Sequence, residues 1–380
     1  MEKIYLDHAA TSPVHPEVLE TTYETMKNFY GNASSIHGFG REARHLLDDA
    51  RSVFAKSIGA KQSEIVITSG GTESDNTAVI ETALSRESMG KHLITSKVEH
   101  HAILEPMEYL ESLGFEVTYL PVDEFGQVDP ELVQSAIRPD TTLVSIMYGN
   151  NEVGTLMNIA EIGAIVAETE SYFHTDAVQA YGLEEIDVKR SQIDLLSVSA
   201  HKINGPKGVG FLYVSEAIHL PSFMRGGEQE TKRRAGTENI PAIAGFKKAV
   251  EIMQAEKVQR KEAYNTLKQQ VVSELTEAGI DFEVNGASEN GLAHVLSLWI
   301  KEIPSDQLLM NLDLMGIAIS AGSACTAGNI EPSHVLTAMY GENNPRVSQS
   351  VRVSFGLGTE PQMIHELVEK LVIVVNRLKK

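Results

Sequence analysis

Cysteine is almost absent: Cys325 is the single thiol in 380 residues. An intramolecular disulfide is therefore impossible, and a reducing cytoplasm is the expected home. Basic residues are short as well, with 32 Lys and Arg against 52 Asp and Glu and a formal charge of −20. That excess of acid opposes binding to nucleic acid and to anionic membranes. No apolar run approaches the length of a membrane span, and the opening MEKIYLDHAATSP lacks the apolar core of a signal peptide. Internal repeats and low-complexity segments are lacking too. What is present is enough chain for two domains with substantial cores.

The chain is organised around 194–214, DLLSVSAHKINGPKGVGFLYV. Two short apolar runs, 195–198 and 209–214, are predicted as buried strands. Between them lie Ser199, His201, Lys202, Asn204 and Lys207. Lys202 thus follows a strand end, where α/β folds place their ligand sites. Desolvation there favours the neutral amine, the nucleophile needed for a Schiff base. Taken alone, the segment fits a solvated hairpin with surface lysines equally well. Upstream, Tyr172-Phe173-His174-Thr175-Asp176 reads as a strand ending in an acid, with Gln179 three residues on. Pyridoxal 5′-phosphate needs a carboxylate at its ring nitrogen and a donor near its phenolic oxygen, roles that suit Asp176 and Gln179.

A strand–Asp–x–x–Gln unit followed by strand–Ser–x–His–Lys resembles the fold-type I pyridoxal phosphate enzymes, in particular the cysteine desulfurases of the NifS and IscS type. The likeness extends over 5–378. It implies an α/β fold: a large cofactor domain over 14–257 with a mainly parallel mixed sheet flanked by helices, and a smaller α+β domain from 1–13 and 258–380. Strands alternating with helices over 64–214 independently predict that sheet.

Further motifs fall into place beside the resemblance. Strand 65–68, then Gly70-Gly71-Thr72 opening a helix, makes an anion site of free N–H groups. It fits a plain tight connection too; the family's Gly-x-Thr-Glu motif makes Gly71 and Thr72 cofactor-phosphate candidates. Glu99-His100-His101-Ala102 matches Glu-His-x-Ala, so His100 is expected to stack on the cofactor ring and move protons. Neighbouring histidines without a Cys, Asp or Glu cluster do not form a metal site, and none is expected. Asn151, in Tyr148-Gly149-Asn150-Asn151, matches the asparagine that touches cofactor and substrate. Ser199 and His201 belong to the cofactor loop.

In GGEQETKRRAGTENI, Thr237 corresponds to a threonine that reaches the cofactor phosphate of the other subunit of a homodimer. Cys325 lies in Gly322-Ser323-Ala324-Cys325-Thr326, matching the family's persulfide-carrying loop, and Arg352 matches the arginine that grips the substrate carboxylate. The implied activity converts L-cysteine to L-alanine. The sulfur would leave as a Cys325 persulfide for an acceptor protein in iron–sulfur cluster assembly or tRNA thiolation. An aminotransferase or selenocysteine lyase would share the cofactor site, and a cofactor-binding interaction module would bind without turnover. Catalytic candidates are therefore Cys325, Lys202 and His100.

Overall fold

The computed structural model describes residues 3–287, 291–322 and 332–379. Twelve strands occur among the described residues: β1 (Ile4–Tyr5), β2 (Ile65–Thr68), β3 (His92–Ser96), β4 (Glu116–Leu120), β5 (Thr141–Ser145), β6 (Tyr172–Asp176), β7 (Leu195–Ser199), β8 (Gly210–Val214), β9 (Phe282–Asn285), β10 (Val295–Ile300), β11 (Ile317–Ala318) and β12 (Ser350–Ser354). Seven form one sheet in the order β2-β8-β7-β6-β5-β3-β4. All its pairings are parallel except those of β8, which runs antiparallel to both β2 and β7. The reversal follows from the short β7–β8 connection, which cannot make the crossover that parallel pairing needs.

Burial explains the composition of these strands. Every residue of β2, β3, β5, β7 and β8 is buried, as expected for a sheet covered on both faces. Only the edge strand β4 opens toward solvent. β5 begins at Thr141, two residues before its apolar run. The buried hydroxyl of Thr141 bonds His92 Nδ1 at 2.7 Å, so a polar residue sits in the ladder at little cost.

The helix Gly38–Ser57 buries Ala43, Leu47, Ala50 and Phe54 on one stripe. Its N-cap is His37, whose Nδ1 accepts the Gly40 N–H at 3.2 Å. The longest helix among the described residues is a single 38-residue element, Ile240–Glu277, about 57 Å long at 1.5 Å per residue. Its first half packs on the helices Pro16–Asn28 and Gly38–Ser57, and it also meets the helix Pro361–Leu378. It therefore ties the seven-stranded sheet to a smaller antiparallel sheet, β12-β10-β9. The N-terminal segment returns to this second sheet: β1 pairs with β11, and Asp7 bridges to Ser354. Among the described residues no helix is long and apolar enough to cross a membrane.

Candidate active site

Lys202 ends a one-turn 3₁₀ segment, Ala200–Lys202, directly after β7. Asn204 then adopts a left-handed φ of 64°. Gly205 passes so close that a Cβ would lie 2.7 Å from the Ala200 carbonyl oxygen. The N-terminal segment lies across this turn: Ser12 N–H donates to His201 O at 3.1 Å and His15 N–H to Asn204 O at 3.0 Å. Lys202 Nζ donates to Ala9 O at 2.6 Å and Ala10 O at 2.7 Å. Burial, helped by the nearby Arg352 cation, brings its pKa down to about 8.

Asp176 closes β6 and accepts the Val178 N–H at 2.9 Å. Burial pushes its carboxyl up to about 6; a cation placed against it would restore the carboxylate. Gln179 Nε2 donates to Ala9 O at 2.9 Å. His201 Nδ1 meets Thr11 Oγ1 at 3.1 Å. Gly70, with φ 147°, turns the chain from β2 into a helix beginning at Gly71. That helix widens at once into a π-helical turn, Thr77–Glu81, a feature frequent beside functional sites. A Cβ on Gly71 would press on Val178 Cγ2 at 2.8 Å.

His100 is the N-cap of the helix His101–Ser112, and its Nδ1 accepts the Ala102 N–H at 3.1 Å. That leaves the proton on Nε2. Burial, with Lys202 nearby, lowers the ring pKa to about 4. Arg352, on β12, donates from Nη1 to Asn151 O at 2.7 Å and from Nη2 to Asp7 Oδ1 at 2.8 Å.

One large cavity joins these groups. It is lined by Gly71, Thr72, His100, Asn151, Asp176 and Gln179 on the large-sheet side, with Ser199 at the end of β7, His201 and Lys202 from the β7–β8 connection, and Arg352 from the second sheet. The donor set is that of an aldehyde-bearing, phosphorylated pyridine ring: a weakly basic primary amine, a buried acid, and backbone N–H groups at a side-chain-free helix start. Thr237 is not brought to the cavity within one chain; it is exposed. Cys325 lies outside the described residues.

Residues 4–367 match the model of the aminotransferase class-V family. The IscS 1 protein of Bacillus subtilis (strain 168) is 53% identical over 378 residues, covering 100% of both chains. The cysteine desulfurase IscS of Dictyoglomus turgidum (strain DSM 6724 / Z-1310) is 44% identical, covering 99% of this chain and 95% of its own. Among solved structures, a NifS-like protein superposes with a TM-score of 0.92 at 34% identity, covering 99% of this chain and 100% of its own. The chain belongs to the cysteine desulfurases. In this class of pyridoxal-phosphate-dependent enzymes, the observed fold is the fold-type I architecture expected from the sequence.

Four groups of this desulfurase chain escaped the sequence reading. Asp7 is the ion-pair partner of Arg352. Asp75 is buried, lines the cavity, and has its carboxyl raised by burial and by Asp176. Glu99 accepts from Ser96 Oγ at 2.7 Å and Met147 N at 3.0 Å, and burial raises it to about 8. His294, from the turn before β10, bonds Gln179. A polar residue inside an apolar stretch was the available signal for His294, and motif membership for Glu99.

Proposed function

We propose that this chain converts L-cysteine to L-alanine with pyridoxal 5′-phosphate held in the Lys202 cavity, and passes the sulfur on through Cys325. The observation that carries the reading is Lys202: a buried amine of lowered pKa sharing one cavity with Asp176, Gln179 and Arg352. When bound, the cofactor supplies the electron sink for chemistry at the substrate Cα. Asp176 holds the ring-nitrogen proton by charge, and Gly71 and Thr72 offer N–H groups to the phosphate, with Ser199 and His201 beside them. Arg352 and Asn151 orient the substrate carboxylate. Arg352 must then share or release Asp7. Lys202 would take the Cα proton, and His100, neutral with its proton on Nε2, would stand beside the cofactor ring as a donor to the reacting substrate.

The Cys325 thiolate attacks the substrate sulfur. A sulfur–sulfur bond forms as the Cβ–S bond breaks, and the electron pair left on the substrate takes a proton. L-cysteine and a protein thiol thus become L-alanine and a protein persulfide, with atoms and electrons balanced. The persulfide sulfur is destined for an acceptor protein of iron–sulfur cluster assembly or tRNA thiolation, in the cytoplasm. Two chains form the working unit, with Thr237 serving the partner's phosphate site. The large domain spans 14–257, and 1–13 with 258–380 form the smaller one.

Adding L-cysteine to the protein loaded with pyridoxal phosphate should release alanine and add one sulfur to the intact mass of the wild type, but not of Cys325→Ser. Borohydride reduction followed by peptide mapping should leave the pyridoxyl group on Lys202. Attachment elsewhere, or alanine formation undiminished in Cys325→Ser, overturns the reading.

A further inference from the structure

The cofactor cavity draws on the second sheet for more than Arg352. His294 Nε2 lies 3.1 Å from Gln179 Oε1, and both side chains are buried. The direction of this bond follows from its neighbours. Ala9 O can only accept, so the end of the Gln179 amide facing it at 2.9 Å is the NH₂. Oε1 therefore faces His294, and His294 must donate from Nε2. Its other nitrogen, Nδ1, is buried without a partner among the described residues.

Behind Lys202 lies a second cavity of about 30 Å³, lined by His8 and His294 among others. It has room for one water. His8 Nδ1 is likewise without a partner among the described residues, so one water could donate a hydrogen to each ring. That would hold both rings neutral. Burial and the surrounding cations Lys268, Lys202 and Arg352 oppose a second proton on His294.

We propose that His294 is a positioning residue for the desulfurase reaction: it fixes the Gln179 amide so that one N–H rests on Ala9 and the other serves the phenolic oxygen of bound pyridoxal phosphate. The inference rests on the cofactor reading above. A flipped Gln179 would present an oxygen to that phenolic oxygen and repel it. The second sheet thereby sets the charge state of a group bound on the first.

Bound pyridoxal phosphate reports this directly through the pH titration of its visible absorbance, which follows the proton on the nitrogen joined to Lys202. A donor on the neighbouring phenolic oxygen disperses the negative charge that holds this proton. Removing that donor raises the midpoint. His294→Leu should raise it by about half a unit or more. In a Gln179→Leu background, His294→Leu should add no further shift, since both act through one amide. His294→Asn, too short to reach Oε1, should give the same rise if the leucine variant does not fold. An unchanged midpoint, or equal and additive rises in the double variant, overturns the proposal. Failure of the wild type to take up pyridoxal phosphate would show earlier, and would sink the cofactor reading itself.

Discussion

Lys202 acts as a nucleophile only while its amine is neutral, and its surroundings set the pH at which that holds. Burial comes first among the causes that bring its pKa to about 8, and Arg352 second, while Asp176 and Asp7 pull upward. Uptake of pyridoxal phosphate by the apoprotein should therefore quicken as pH rises, with a midpoint near that value. Arg352→Gln removes a cation and frees the Asp7 carboxylate, so the midpoint should move up. Rapid-mixing absorbance measures both, and a rate independent of pH between about 6.5 and 9.5 would refute the argument. The structure brings Lys202, Asp176 and Gln179 to one cavity, and each was legible in the sequence as a polar residue at the end of an apolar strand or three residues beyond it. Asp7 was not, because its partner Arg352 lies 345 residues away. His294 was hidden in the same way, 115 residues from Gln179. Pairings of that reach are fixed by the packing of the two sheets, which local pattern does not encode.

The loop before the long helix shows the same limit at the scale of an element. GGEQETKRRAGTENI reads as glycines around a basic run, yet its anchor is the acid Glu230. That carboxylate accepts two N–H groups of Arg51 at 2.7 and 2.8 Å and the Ile67 N–H at 2.9 Å, deep in the protein. Glu230, Thr231 and Lys232 follow one another at φ 48°, 57° and 68°, a left-handed run that L-residues resist. The Arg51 ion pair and the Arg234–Glu73 pair at 2.9 Å hold the loop in that shape. Glu230→Ala should cost about 3–5 kcal/mol by leaving Arg51 buried and unpaired, and Thr231→Gly should gain roughly 1 kcal/mol. Urea unfolding measures both; a change under about 1 kcal/mol in Glu230→Ala would show that water replaces the carboxylate freely. The strands of the large sheet and most of the helices flanking it were readable to within a few residues, whereas the helix His101–Ser112 and strands β9–β11 were not read from the sequence. The differences fall at polar residues, Thr141 in β5 and His37 at a helix start, whose side-chain hydrogen bonds let the element begin before its apolar run.

At the scale of the whole molecule, the apolar surface argues for two chains. Leu19, Tyr23 and Met26 are exposed on the helix Pro16–Asn28 at spacings of four and three, and so share one face, which Tyr30 extends. Tyr30 stacks on the exposed Phe39 at 5.4 Å, and Ile36 beside them is 92% exposed. A chain of charge −20 repels its own copies, so any self-association must come from a patch such as this. Sedimentation should therefore give twice the 41.6 kDa chain mass, and Tyr23→Asp with Met26→Glu should shift it toward the monomer. Thr237, exposed in one chain and outside its own cavity, turns this into a statement about activity. Lys202→Ala chains lack the amine but carry Thr237; Thr237→Ala chains are the reverse. After equal mixing and exchange, half the dimers are mixed, and each mixed dimer contains one site with Lys202 from one chain and Thr237 from the other. Activity should recover to about a quarter of the wild-type value if the threonine acts across a twofold interface. A mixture no more active than the average of its two components would place Thr237 in its own chain's site, and an active monomer would remove the shared site altogether.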